Sequence, residues 1–202
     1  MVFGAGSLAQ LPAEVDRLGA KRVLMLSTPG RAEMVRAAAR GLPVAGLFDE
    51  AAMHTPLELA EKARACAAEL GADCCVAFGG GSTIGFGKAI ALTSALPVIA
   101  VPTTYSGSEM TTIWGVSQGG AKKTGRDPRV APKTVIYDPQ VTLGLPPATS
   151  AASGRPFAAL RAMSARPGVE SISTRFAPRR STSVASWASE PAPNTTRTAF
   201  GW

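Results

Sequence analysis

The stretch "AFGGGSTIGFGKAIA", residues 77–91, sets three consecutive glycines and a serine between an apolar run and a helix-like one. The apolar run, "DCCVAFGG" at 73–80, has the compact composition of a buried parallel strand. "STIGFGKAIALTSAL" at 82–96 reads as the helix that follows it. A strand, a glycine turn and a helix together make a cradle for phosphate. Glycine lets the backbone turn with no Cβ in the way, and the unpaired N–H groups and dipole of the helix start attract an anion. Gly79, Gly80 and Gly81 form the turn, while Ser82 supplies a hydroxyl and a candidate N-cap. This is not a Walker A loop, which needs glycine at position 82 and Ser or Thr at 89, where the chain has Ser82 and Ala89. On spacing alone, a turn of this kind with no ligand stays open as a reading.

Outward from the turn, strands and helices alternate. "KRVLMLS" (21–27), "LPVAGLF" (42–48), "PVIAVP" (97–102) and "TVIYDP" (134–139) read as strands, and "RAEMVRAAAR" (31–40) reads as a helix. In "HTPLELAEKARACAAELG" (54–71) the punctuation is explicit. Thr55 is placed to cap, Pro56 to occupy the first helical position, and Glu58 to close a capping box; Gly71 ends the run. Such alternation predicts a parallel sheet with helices on both faces. "PTTYSGSEMTTIWGVS" (102–117) begins as a polar loop, and "VTLGLPPATSAAS" (141–153) reads as a proline-punctuated link. The organisation is therefore an α/β domain over 1–150 and a Ser/Arg/Pro/Ala-rich tail over 151–202, in which apolar residues lose any sustained period.

Charge and composition narrow the function classes. Of the +7 net charge, residues 1–150 carry +2 and the tail +5. Basicity thus belongs to the tail, with no groove-reading motif beside it, and the reading is against nucleic acid. No apolar stretch reaches the length of a membrane helix, and "MVFGAGSLAQLPAEV" lacks the layout of a signal peptide, so the expectation is a cytoplasmic protein with no membrane partner. Cys66, Cys74 and Cys75 have no ligand spacing, and a single histidine, His54, builds neither a triad nor a metal site; no metal is assigned.

A second cluster of polar groups lies where an open α/β sheet binds ligands, just past a strand's C-terminal end: Thr103, Thr104, Ser106 and Ser108. Glu109 offers a general base, but an isolated loop glutamate is more often solvated or a cap. Lys122 and Lys123 are ordinary surface charges unless one reaches a cofactor. Gly4-x-Gly6 meets the dinucleotide fingerprint poorly, since almost no strand precedes it and position 9 is alanine.

"FGAGSLAQLPAEVDRLGAKRVLMLSTPG", "HTPLELAEKA", "ADCCVAFGGGSTIGFGKAIA", "PVIAVPTTYSGSEMT", "GRDPRVAPKTVIYDP" and "TLGLPPATSAASG" follow one another in an order and spacing that resembles the N-terminal half of the iron-containing alcohol dehydrogenase superfamily. Within it the likeness is greatest to the maleylacetate reductases, which share Gly85 where the wider superfamily has aspartate, and the short "TTYSGSEMT" loop. The resemblance implies a Rossmann-like sheet of the dehydroquinate synthase-like N-terminal type that binds NADH or NADPH, followed by an all-helical domain. It implies that Gly79, Gly80, Gly81, Ser82, Thr83 and Ile84 lie along the pyrophosphate, and that Thr103, Thr104 and Tyr105 lie by the nicotinamide ribose with Thr142, Leu143, Gly144, Leu145 and Pro146. Ser27 and Thr28 would lie on the adenosine side; His54 matches a position where the family often has asparagine, and Lys123 falls near its cofactor-contacting lysine. The implied reaction is hydride transfer to maleylacetate, giving 3-oxoadipate, in the breakdown of aromatic compounds. No residue here is assigned to catalysis.

The departures set further expectations. After Gly154 the family's opening of the helical domain is replaced by "RPFAAL", and no further histidine follows. The reading is a frameshift near codon 154, leaving a chain without the helical half and inactive alone; other frames there that encode nothing family-like would refute it. "MVFGAG" matches the middle of the family's opening strand. A homodimer is the reading for the intact protein. The alternatives are another iron-type alcohol or glycerol dehydrogenase, and a nucleotide-binding fragment without catalysis.

Overall fold

The structure, a computed structural model, describes residues 1–151; from residue 152 onward the expected tail lies outside the described residues. The elements are β1 (Val2–Phe3), α1 (Leu11–Arg17), β2 (Val23–Leu26), α2 (Ala32–Ala38), β3 (Val44–Phe48), α3 (Leu57–Glu69), β4 (Cys74–Gly79), α4 (Gly81–Ser94), β5 (Val98–Pro102), β6 (Ile113–Gln118), β7 (Ala121–Arg126) and β8 (Thr134–Tyr137). Six strands form one parallel sheet in the order β1-β8-β5-β4-β2-β3.

Period-2 alternation explains why a sheet of nearly continuous apolar strands takes helices on both faces. Leu24, Leu26, Cys75, Ala77, Val98 and Ala100 pack with α3 and α4 residues such as Ala60, Ala63, Ile84 and Ile90. Their neighbours in sequence, Val23, Met25, Cys74, Val76, Phe78, Ile99 and Val101, pack with Leu11 and Val15 of α1 and Val35 of α2. The adjacent cysteines therefore point into opposite halves of the core, and burial pushes the Cys74 thiol up to about 12 and Cys75 up as well. All three cysteines are free.

From β2 the chain steps outward to β3, then crosses back to β4 and continues through β5 to β8 on the other side. The order reverses between β2 and β4. In open α/β sheets, ligands bind in the crevice at such a switch point, beyond the strands' C-terminal ends.

Two local expectations are corrected. Thr55 does not cap α3. His54 and Thr55 both hold positive φ, 64° and 51°, and Pro56 is the N-cap residue with no side-chain cap bond. The reason is tertiary: Pro56 bridges to Ser117, whose N–H donates to Thr55 O at 3.0 Å and whose hydroxyl donates to His54 O at 2.9 Å. Ser82 does not cap α4 either; Gly80 stands at the N-cap and Ser82 lies inside the first turn. After 112 the chain forms an antiparallel hairpin, β6–β7, closed by Gly119 and Gly120 at φ 56° and 79°. Two central residues at positive φ are what a type I′ hairpin turn requires.

The Gly4-x-Gly6 segment wraps an anion supplied by the chain itself. Asp138, at the end of β8, accepts hydrogen bonds from Gly6 N at 3.1 Å, Leu8 N at 3.0 Å and Gln140 N at 2.9 Å. Burial alone would raise its carboxyl; the N–H groups of Leu8, Gln140 and Gly6 outweigh this and hold it below the usual carboxylate range. Among the described residues no helix is long and apolar enough to cross a membrane.

Candidate functional site

At the C-terminal ends of β4 and β5 the backbone does what the glycine turn foretells. The first intrahelical bond of α4 runs from Ile84 N to Gly80 O, which leaves the N–H groups of Gly81, Ser82 and Thr83 ahead of it. No side chain caps them. The glycines are needed for space rather than for unusual backbone angles. A Cβ on Gly81 would stand 2.8 Å from the Ser106 hydroxyl, and one on Gly80 would stand 3.2 Å from the Thr104 side chain. Thr103 N donates to Gly79 O at 3.0 Å, which clamps the second polar cluster onto the turn.

A cleft of about 510 Å³ opens here. One wall is α4, through Gly81, Ser82, Gly85 and Lys88; the other is the 106–115 segment, with Lys122 and Thr124 of β7; the His54–Thr55 turn closes one end. Among the described residues no Asp or Glu lines it. With the helix start and the lysines, the cleft suits an anion by electrostatics as well as by shape. The His54 N–H donates to the Ser82 hydroxyl at 3.3 Å and the Thr55 hydroxyl to Ser82 O at 3.4 Å, so the turn is pinned to the start of the helix.

Gly85 makes that docking possible, because its Cβ would lie 2.5 Å from the buried Thr55 hydroxyl. Installing the wider superfamily's residue, Gly85→Asp, is expected to destabilise the chain by about 2 kcal/mol through overpacking and to displace the His54–Thr55 turn. Adding Thr55→Gly should restore much of the loss in urea denaturation; an unchanged double variant would show the clash is not there.

A second cleft of about 440 Å³ lies across the 103–111 loop, lined by Thr104, Tyr105, Glu109, Tyr137 and Thr142 and by exposed Met1, Phe3 and Met110. Glu109 is neither solvated nor a cap. It is 3% exposed, accepts a hydrogen bond from the Tyr137 hydroxyl at 2.8 Å, and stands 3.4 Å from the Ser106 hydroxyl. It is a tie between loop and sheet. Burial, then the bond to Glu109, pushes the Tyr137 phenol up.

The expected ligand residues thus fall into groups. His54, Gly81 and Ser82 line the first cleft, and Thr104, Tyr105 and Thr142 the second. Gly79, Thr83 and Thr103 are buried beneath the turn, where the Thr83 and Thr103 hydroxyls have no hydrogen-bond partner among the described residues. Ile84 is in the core. Ser27, Thr28, Leu143, Gly144, Leu145 and Pro146 line neither cleft. The amide and carbonyl of Ser27 pair with Phe48 O and Ala51 N at the β3 edge. Lys123 lies on the other face of the hairpin from the cleft lining: the register pairs it with buried Val116, while Lys122 pairs with Ser117 and lines the cleft beside Thr124. A step of one residue along a strand reverses the face.

Sequence reasoning missed Lys88, whose signal was the spacing Gly81, Gly85, Lys88 on one helical face. It missed Trp114 and Thr124, and left open which of Lys122 and Lys123 matters, for want of the hairpin, although "SQGGAK" carries the two-glycine hairpin signal.

The comparisons with known proteins agree with this architecture. A family model described as iron-containing alcohol dehydrogenase matches residues 1–139. The chain belongs to this family. It is 57% identical over 157 residues to a maleylacetate reductase of Burkholderia cepacia, covering 76% of this chain and 44% of that protein. Among solved structures, a putative alcohol dehydrogenase from Ralstonia eutropha JMP134 superposes with a TM-score of 0.74 at 55% identity. A maleylacetate reductase from Agrobacterium tumefaciens does so with 0.73 at 50%. Each match covers 76% of this chain and 44% of the other. The chain therefore spans less than half the length of these relatives. The family's name raises iron, but among the described residues no group of three or more His, Cys, Asp or Glu side chains could hold a metal ion. The described residues do not fit a metal centre. They do fit a dinucleotide: the glycine cradle that a Cβ would fill, the two unpartnered hydroxyls beneath it and the acid-free cleft suit a pyrophosphate.

Proposed function

We propose that residues 1–150 are the dinucleotide-binding domain of a maleylacetate reductase, an NADH- or NADPH-dependent oxidoreductase that reduces maleylacetate to 3-oxoadipate in the cytoplasmic breakdown of aromatic compounds. The observation that carries the reading is the 57% identity to the Burkholderia cepacia protein, joined to a family match that spans the glycine turn and both walls of its cleft. When bound, the reduced nicotinamide supplies the hydride.

The chain's own residues then bind and orient. The N–H groups of Gly81, Ser82 and Thr83 take the pyrophosphate at the helix start. His54 and Lys122 add charge or hydrogen bonds at the rim of the first cleft. Thr104, Tyr105 and Thr142 offer polar groups in the second. Glu109 is held by the Tyr137 hydroxyl and ties the loop to the sheet. A second reading is that the 202-residue chain binds nucleotide without turnover.

Titrating NADH and NADPH into the full chain, read by nicotinamide fluorescence, tests the first step. Saturable binding that ADP-ribose competes away is expected, and no binding of either dinucleotide overturns the proposal. Maleylacetate-dependent oxidation of NADH by the same chain decides between the two readings.

A further inference from the structure

Lys88 is the single charged residue of α4 and is only 1% exposed. A buried ammonium is costly unless its donors are matched. Here the match is unusually full: Nζ donates to Ser108 O at 2.6 Å, Ile113 O at 2.7 Å and Thr111 O at 2.8 Å, with the Thr111 hydroxyl at 3.1 Å. Three backbone carbonyls from one short irregular segment converge on a single nitrogen. The tripod of an ammonium has donors for three of them, and no neutral side chain of that length does. Burial pushes Lys88 down to about 8, against the upward pull of the Glu109 carboxylate.

The segment so gathered is the wall opposite the glycine turn. Ser106 and Ser108 lie across from Gly81, close enough that a Cβ there would meet the Ser106 hydroxyl at 2.8 Å and the Ser108 Cβ at 3.9 Å. On the far side of the same loop, Glu109 is tied to Tyr137. The loop is thus held at two points: by α4 through Lys88 and by β8 through Glu109.

We infer that Lys88 is a positioning residue that sets the width of the anion cleft, by gathering the carbonyls of Ser108, Thr111 and Ile113 so that the loop faces the Gly81 helix start at a fixed distance. It touches no reacting atom. Its effect on dinucleotide affinity rests on the function proposed above; its hold on the loop does not.

Amide hydrogen exchange on the full 202-residue chain without ligand tests the hold, using Lys88→Met, Lys88→Arg and the milder Thr111→Val. Lys88→Met should speed exchange across 106–113 by tenfold or more, with β4, β5 and the interior of α4 unchanged. Thr111→Val should loosen the same segment less, and Lys88→Arg should recover part of the protection. Unchanged exchange over 106–113 in Lys88→Met overturns the inference. If that variant does not fold, unchanged exchange in both Thr111→Val and Lys88→Arg overturns it instead. An NADH titration of the same proteins reads the consequence. Lys88→Met should weaken binding at least tenfold with partial rescue in Lys88→Arg, and an equal affinity in all of them removes the positioning role even if the loop loosens. Failure of the unaltered chain to bind NADH or NADPH refutes the dinucleotide reading alone, while exchange still decides the hold on the loop.

Discussion

Gly81→Val is expected to lower dinucleotide affinity by about 100-fold or more, roughly 2.8 kcal/mol at tenfold per 1.4 kcal/mol. The branched side chain enters the one place where the α4 start and the 106–108 loop already approach to contact distance. It must push Ser106 aside or fill the space above the helix N–H groups, and either outcome denies a phosphate its seat. The fold should survive, because Gly81 has no left-handed backbone angle and begins a helix in which valine is tolerated. The comparison is therefore clean: fluorescence titration of NADH beside the urea midpoint of the same protein. Lost affinity at an unchanged midpoint supports the cradle, and unchanged affinity places the ligand elsewhere.

The largest effect on stability is expected at Asp138. Asp138→Ala strips the acceptors from Gly6 N, Leu8 N and Gln140 N inside a region where the carboxylate is 3% exposed. Bonds to a charged acceptor are worth about 1.5–3 kcal/mol each and are not additive, so a loss of about 3–5 kcal/mol is expected at neutral pH. The N-terminal segment is the part released, since among the described residues β1 pairs only with β8, and Gly4 N bonds Tyr137 O at 3.1 Å. Asp138→Asn keeps one acceptor oxygen and should lose about half as much.

The pH dependence of this contribution follows from its depressed folded-state pKa. Below the unfolded pKa of about 3.9 the unfolded chain binds the proton first, so the stabilisation is complete above that value and is lost as pH falls through the folded one. The gap in stability between the unaltered chain and Asp138→Asn should therefore narrow on acidification. Urea denaturation at neutral pH and again below the carboxylate range measures it. A gap that stays constant would mean the carboxylate is not charged where the N–H groups hold it.

Much of the architecture was legible because its signals are local. The apolar runs at 21–27, 42–48, 73–80 and 97–102 became β2, β3, β4 and β5, since short apolar runs between turn signals suit the strands of a helix-covered parallel sheet. The turn at Gly79–Gly81 was readable because it needs the absence of side chains, which sequence states outright. Thr55 misled for the opposite reason. Its cap pattern is a real helix signal, but the bonds from Ser117, 62 residues away, outcompete it and put the turn at positive φ. The Gly4-x-Gly6 pattern likewise signals an anion correctly; only the fold shows that the anion is Asp138.

What the sequence by itself determined is the alternating parallel sheet and the helix set on a glycine turn, carried by periodicity and punctuation within short windows, and the resemblance to the family, carried by the order and spacing of its motifs. The tertiary structure decided which lysine of the pair at 122–123 faces the cleft, where the Lys88 ammonium goes, and how the expected ligand residues divide between two clefts. Those outcomes depend on hairpin register and on carbonyls contributed by segments 20 or more residues away. A side chain's own neighbours in sequence carry no record of partners that only the folded chain brings within reach.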